Sequence, residues 1–244
     1  MSFSFLQRTS VYLLIFSSLL CFSQTKFEMQ DIFSLQYAND IQLSPDGKKI
    51  VYQKMGFDIM EDKSVGALWM MNADGSNHQK LTSRDQSEFS PRWSPNGDQI
   101  AFVSAGKNGA EIYLYWVNSG KFARITQLPK SPSSLTWSND GQQLAFSMFV
   151  PSPPPVIAKI PQAPKGAKWA KKPRVTDRLK HEADGRGYLP PGFNHLFVVP
   201  ATGGAVRQVT TGDFHHRGKI SWSKDNRSLF FSANRNADWE YDFR

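Results

Sequence analysis

The sequence predicts an all-β fold, and two observations carry the prediction. The first is a repeat. "LSPDGKKIVYQ" from Leu43 returns as "WSPNGDQIAFVS" from Trp93, "WSNDGQQLAFS" from Trp137 and "WSKDNRSLFFS" from Trp222, with starts 50, 44 and 85 residues apart. The second is that each copy joins a turn to a run suited to a strand, with Ile100, Phe102, Leu144, Phe146, Leu229 and Phe231 alternating with their neighbours. Extended in both directions, the copies become a meander of four antiparallel strands. Such a unit of roughly 40 to 45 residues in tandem is a β-propeller blade. The chain supplies three blades and half of a fourth, so an incomplete propeller of about three and a half four-stranded antiparallel blades is expected.

Residues 1–23 stand apart from the repeats. Arg8 gives a positive start, "VYLLIFSSLLCF" an apolar stretch of 12 residues, and Cys21 and Ser23 small side chains at the −3 and −1 positions of a cut before Gln24. The stretch is shorter than the roughly 20 residues that span a bilayer. It therefore reads as a cleavable signal peptide, with no stable membrane span and export to the periplasm or beyond. Cys21 is the one cysteine of the sequence, so a mature chain from Gln24 would have none. That excludes a disulfide scaffold and a cysteine-ligated metal site, and leaves packing as the source of stability.

Residues 24–244 hold the propeller. The first blade is "IQLS", "KKIVYQKM", "ALWMMN" and "HQKLT", with "ADGS" before its last strand; the second is "SPRWS", "DQIAFVSA", "EIYLYWV" and "KFARIT", with the loop "GKNGA" between its middle strands. The third has "SLTWS" and "QQLAFSMFV" and resumes after an interruption with "HLFVVP", "ATGG" and "AVRQVT". "VVP" and "YLYWV" are apolar on both faces, as stacked sheets require. Asp46-Gly47, Asn96-Gly97 and Asp140-Gly141 provide residues that tolerate positive φ, and Pro45 and Pro95 end the preceding strands. The fourth copy has Asp225-Asn226 and no glycine, which makes its turn the most strained. Turn chemistry accounts for these acids better than metal binding or catalysis. Trp93, Trp137 and Trp222 recur at one repeat position, where their rings fill the gap between sheets.

Residues 150–192 interrupt the third blade with "VPSPPPVIAKIPQAPKGAKWAKKPRV", where clustered prolines favour extended backbone and lysines keep it solvated, so an insertion is expected in place of another strand pair. Between Lys159 and Arg186 nine Lys or Arg face three acids, so +6 of the net +8 lies within 28 residues. The basicity is local, and with export expected it points away from nucleic acid. "HEAD" at 181–184 mixes metal-ligand types without a spacing that converges them, "DGRG" at 184–187 is a turn, and His215-His216 reads as a polar loop before the fourth blade.

The "SPDG" turn followed by a strand, after a strand ending in "LT", "IT" or "VT", resembles the propeller repeat shared by the TolB periplasmic protein and the propeller of prolyl oligopeptidase family (S9) serine peptidases. Arg174–Val199 and "FSANRNADWEYDFR" are similar to segments of acylaminoacyl-peptidase-like and dipeptidyl-peptidase-like members. The resemblance implies an N-terminal, substrate-gating propeller that precedes an α/β-hydrolase domain in a longer parent, with short peptides as substrates and no cofactor. This sequence contains no "GxSxG" nucleophile elbow, so no catalytic residue is carried over and this chain alone is expected to have no peptidase activity. Arg174, Arg178, Arg186 and Tyr188 are the candidates for a substrate or domain-interface role. No metal site is expected. The alternative is a TolB-like periplasmic propeller that acts as a protein-binding scaffold; in either case the ring is expected to be completed by another segment or chain.

Overall fold

The computed structural model describes residues 26–82, 84, 86–106, 109–158, 161–171 and 173–241. The expected signal peptide and Cys21 lie outside these residues. Two units are present, divided after Leu35. The described part of the first holds a 3₁₀ turn, Met29–Ser34, in which the Glu28 N–H donates to Asp31 Oδ2 (2.8 Å). Among the described residues no helix is long and apolar enough to cross a membrane.

The second unit contains the repeats. Its first blade is β1 (Tyr37–Leu43), β2 (Lys49–Asp58), β3 (Lys63–Asn72) and β4 (Gln79–Lys80), and its second is β5 (Ser87–Trp93), β6 (Gln99–Gly106), β7 (Gly109–Trp116) and β8 (Lys121–Arg124). The third is built from β9 (Pro132–Trp137), β10 (Gln143–Pro151), β13 (Gly192–Pro200) and β14 (Arg207–Gln208). All pairings are antiparallel between neighbours in the meander. β15 (His216–Trp222) and β16 (Leu229–Ala233) form the two-stranded sheet of the half blade. The architecture is the partial propeller that the repeat predicts.

The four turns share one hydrogen-bond plan. Ser44 N–H donates to Lys49 O, Gly47 N–H to Ser44 O, and the Ser44 hydroxyl to Asp46 Oδ1 (2.7 Å) while accepting from Lys49 N–H. Ser138 with Asp140 and Ser223 with Asp225 repeat it, and in the second blade Asp98 takes the serine hydroxyl in place of Asn96. The acids thus serve the turns. In the fourth turn Asn226 holds the glycine position at φ +59°, a conformation costly for a residue with a Cβ. Its side chain is used there: Asn226 Oδ1 accepts from Asn139 N–H (2.8 Å) and from Asn139 Nδ2 (2.9 Å). In the earlier blades Pro45 lies next to Gly97 and Pro95 next to Gly141. An Asn–Asn hydrogen-bonded pair therefore replaces a Pro–Gly contact.

The core lies between the sheets. Alternation along β6 sends Ile100 and Phe102 toward Val51, Leu68 and Met70 of the first blade, and Ala101 and Val103 toward Leu135, Trp137, Leu144 and Phe146 of the third. Between the third and fourth blades the buried set shrinks to Ala145, Leu196, Val198 and Ile220.

The insertion departs from expectation in one respect. It does contain a strand pair, β11 (Glu182–Ala183) with β12 (Gly187–Tyr188). The "DGRG" turn closes it, because Gly185 (φ +69°) and Gly187 (φ +63°) take the left-handed conformations a tight connection needs. Arg174–Lys180 forms no strand. The chain re-enters the third blade at Gly192 (φ +143°), where a Cβ would collide with Val150 O.

Candidate functional site

The insertion and the end of the chain meet over the third and fourth blades. The Arg178 guanidinium lies 4.2 Å from the centre of the Phe193 ring and donates to Gly192 O (3.0 Å), which ties the insertion to the start of β13. The backbone N–H of Leu179 donates to Glu240 Oε2 (3.1 Å) in the 3₁₀ turn Trp239–Tyr241. Trp239 stands edge-on to Phe193 (6.3 Å) and to His215 (5.4 Å), and Phe193 and His215 are 5.3 Å apart. An open cleft of about 250 Å³ results, lined by Asp177, Arg178, Phe193, Asp213, Trp239 and Glu240.

The four sequence candidates do not gather in this cleft. Arg178 lines it. Arg174 is stacked on Tyr188 (3.9 Å), itself 54% exposed and stacked on His181 (6.3 Å), so these two belong to the small hairpin. Arg186 sits in the hairpin's turn, and its charge bears on Arg217 of β15; burial first and this neighbour second hold the Arg217 guanidinium below its ordinary pKa.

The residues sequence reasoning missed are histidines. The polar loop expected at His215-His216 is found only in part: His215 does precede β15 outside any strand but is packed against Phe193 and Trp239, and His216 opens β15 and is fully buried. The physical reason is that the rings pack against aromatic neighbours at this seam, His215 against Phe193 and Trp239 and His216 against Phe231. His215 Nδ1 accepts from Asn194 N–H (3.2 Å), and burial, reinforced by Arg217 and Arg178, pushes its pKa down to about 4. His216 Nδ1 faces Asn194 O (3.2 Å) and its Nε2 faces Arg235 Nη2 (3.0 Å). Burial lowers His216, and burial together with His216 lowers His195, which lies 5.2 Å from His216. Adjacency of two histidines was the one signal in the sequence, and it carried no information on burial.

The Ser147 hydroxyl donates to the backbone oxygen of His216, and among the described residues no serine hydroxyl is hydrogen-bonded to an imidazole. Three His, Asp or Glu side chains converge nowhere among the described residues in a way that could hold a metal ion.

The tryptophan positions are resolved as ties between blades. Trp93 Nε1 donates to Gln42 O (3.2 Å) of the first blade and Trp137 Nε1 to Arg92 O (2.9 Å) of the second. Trp222 Nε1 is buried and has no hydrogen-bond partner among the described residues.

Comparison with known proteins agrees with this architecture. The TolB beta propeller domain (PD40) matches residues 59–151. An uncharacterized peptidase, YuxL of Bacillus subtilis, is 25% identical over 205 residues, 84% of this chain and 30% of its own. Dipeptidyl-peptidase 5 of Porphyromonas gingivalis is 23% identical over 223 residues, 85% of this chain and 31% of its own. The Tol-Pal system protein TolB of Legionella pneumophila is 40% identical over 67 residues, 28% of this chain and 16% of its own. Among solved structures, Pyrococcus horikoshii acylaminoacyl peptidase aligns with a TM-score of 0.56 at 17% identity over 75% of this chain and 26% of its own. The chain thus spans under a third of the length of YuxL and of the Porphyromonas gingivalis dipeptidyl-peptidase 5. Residues 59–151 match the TolB beta propeller (PD40) model, and the relatives of the chain include S9-family peptidases alongside TolB.

Proposed function

We propose that this chain is the substrate-gating propeller portion of an exported S9-type serine peptidase, whose activity resides in an α/β-hydrolase domain of a longer parent. The observation that carries the reading is the breadth of the sequence matches: YuxL and the Porphyromonas gingivalis dipeptidyl-peptidase 5 match 84% and 85% of the chain, whereas the Legionella TolB matches 28%. In such a parent the propeller would screen the serine nucleophile, so that short or unfolded peptides reach it and folded proteins do not. The basic insertion over the third blade, with Arg174, Arg178, Arg186 and Tyr188, would face the hydrolase domain or the incoming peptide. Export follows from residues 1–23. The ring would be completed by another segment or chain, because β16 has no outer neighbour among the described residues. No cofactor is needed for acyl transfer through a serine.

The TolB-like scaffold remains the second reading, favoured by the higher identity of its shorter match. The two separate on activity. The native protein, captured from source cells with an antibody to residues 150–192, is offered short peptides and a folded protein of the same composition. Cleavage of the peptides alone, blocked by a serine-directed inhibitor, is the expected result. No cleavage of either, with envelope proteins co-captured, overturns the peptidase reading in favour of the scaffold.

A further inference from the structure

One residue of β13, Asn194, is held through both of its main-chain groups by consecutive histidines, His215 just before β15 and His216 at its start. Its N–H donates to His215 Nδ1 (3.2 Å), so that nitrogen carries a lone pair. Its carbonyl oxygen faces His216 Nδ1 (3.2 Å), so that nitrogen carries the proton. The remaining nitrogen of His216 faces Arg235 (3.0 Å), and a guanidinium only donates, so this Nε2 is bare. Both imidazoles are therefore neutral by geometry. A proton on His215 would set N–H against the Asn194 N–H, and a proton on His216 would set N–H against a cation.

The charges around the pair act in the same direction. Arg178 from the insertion and Arg217 on β15 face His215, Arg186 of the hairpin turn bears on Arg217, and Arg235 after β16 faces His216. His195 on β13 lies against His216, and its Nδ1 lies 3.4 Å from Thr210 Oγ1. One acid opposes them, Asp213, which acts on His195; the Glu240 carboxylate accepts from Leu179 N–H. The seam also lacks the indole tie of the other two, since Trp222 Nε1 has no partner among the described residues.

We propose that the seam between the third and fourth blades is a pH-operated latch, in which protonation of His215 and His216 releases β15, β16 and the Trp239–Tyr241 turn from β13. The proposal is independent of the peptidase reading. The sign follows from linkage. The folded state holds the imidazoles neutral, His215 with a pKa of about 4 against an ordinary 6.5. Closure is therefore fully favoured above pH 6.5 and is lost as pH falls toward 4.

Hydrogen exchange followed by mass spectrometry on the whole chain, with rates corrected for their intrinsic pH dependence, tests it. Between pH 6.5 and 4, protection of residues 194–199 and 216–222 is expected to fall by up to about tenfold per pH unit for each proton taken up, while residues 100–105 keep theirs. The double variant His215→Asn, His216→Gln retains an acceptor and a donor without titrating there, and is expected to flatten the slope. Flat protection in the wild type, an equal fall in residues 100–105, or an unchanged slope in the variant overturns the latch. Should the variant not fold, nitrogen NMR of the wild-type imidazoles decides: His215 Nδ1 and His216 Nε2 unprotonated, with both midpoints lowered below 6.5, support it, and ordinary midpoints overturn it.

Discussion

The seam between the second and third blades and the seam between the third and fourth are cut from the same repeat and held by different chemistry. At the first, Trp137 is buried among Val103, Leu135, Leu144 and Phe146 and its indole donates to Arg92 O. At the second, Trp222 is only half-buried and its indole is unpaired among the described residues; Asn139–Asn226 and the histidine cluster take over. An indole bond does not titrate, and an imidazole bond does. The difference teaches that a propeller can keep one blade geometry while making one seam tight and another responsive.

The largest expected effect breaks the comparison at its tight side. Trp137→Ala removes a large core ring and should cost about 3–5 kcal/mol of stability in urea unfolding, with Trp222→Ala costing clearly less; equal losses would contradict the distinction. Trp137→Phe keeps most of the ring and leaves Arg92 O without its donor, for about 1–3 kcal/mol. Trp222→Phe should stay within about 0.5 kcal/mol in the same measurement.

Asn226→Ala keeps the left-handed backbone and deletes the acceptor for Asn139, so thermal unfolding should show a loss of about 1–2 kcal/mol. Pairing Asn139→Pro with Asn226→Gly recreates the contact of the earlier blades and should recover most of it. Failure of the pair to recover stability would mean that the Asn–Asn bonds do more than replace that contact.

The smallest effect separates two acid responses. Asp46, Asp140 and Asp225 have pKa values lowered first by the serine hydroxyl and then by a backbone N–H. Their contribution is present above an ordinary aspartate pKa of about 3.8 and is lost as pH falls through the lowered values. The histidine response lies higher, between 6.5 and about 4. Asp46→Asn should trim the loss of melting temperature below pH 4 and leave the upper window untouched. A change in the upper window would show that the turns and the seam are coupled.

The blades, their order and the half blade were legible because a period-2 pattern and a Gly turn are local signals that burial between sheets reinforces. The exchange of Pro–Gly for Asn139–Asn226 was visible only as a missing glycine, since its partner lies 87 residues away. β11 and β12 were hidden because two-residue strands carry no periodicity; the glycines at 185 and 187 were their trace. His215 and His216 were misread because a histidine's polarity does not tell whether an Asn194 and an Arg235 will meet it in the fold. Arg174, Arg178, Arg186 and Tyr188 were picked from one stretch, and the structure sends Arg178 to Phe193 and Arg174 to Tyr188.

The most direct test of the functional account is the mass of the native protein in envelope and secreted fractions of the source cell, read with an antibody to residues 150–192 and probed with a serine-reactive label. The account predicts a band well above the 27.6 kDa encoded by these 244 residues, and predicts that it takes the label. A stable, unlabelled band at or slightly below 27.6 kDa would contradict it and point to a half-propeller that assembles with another chain.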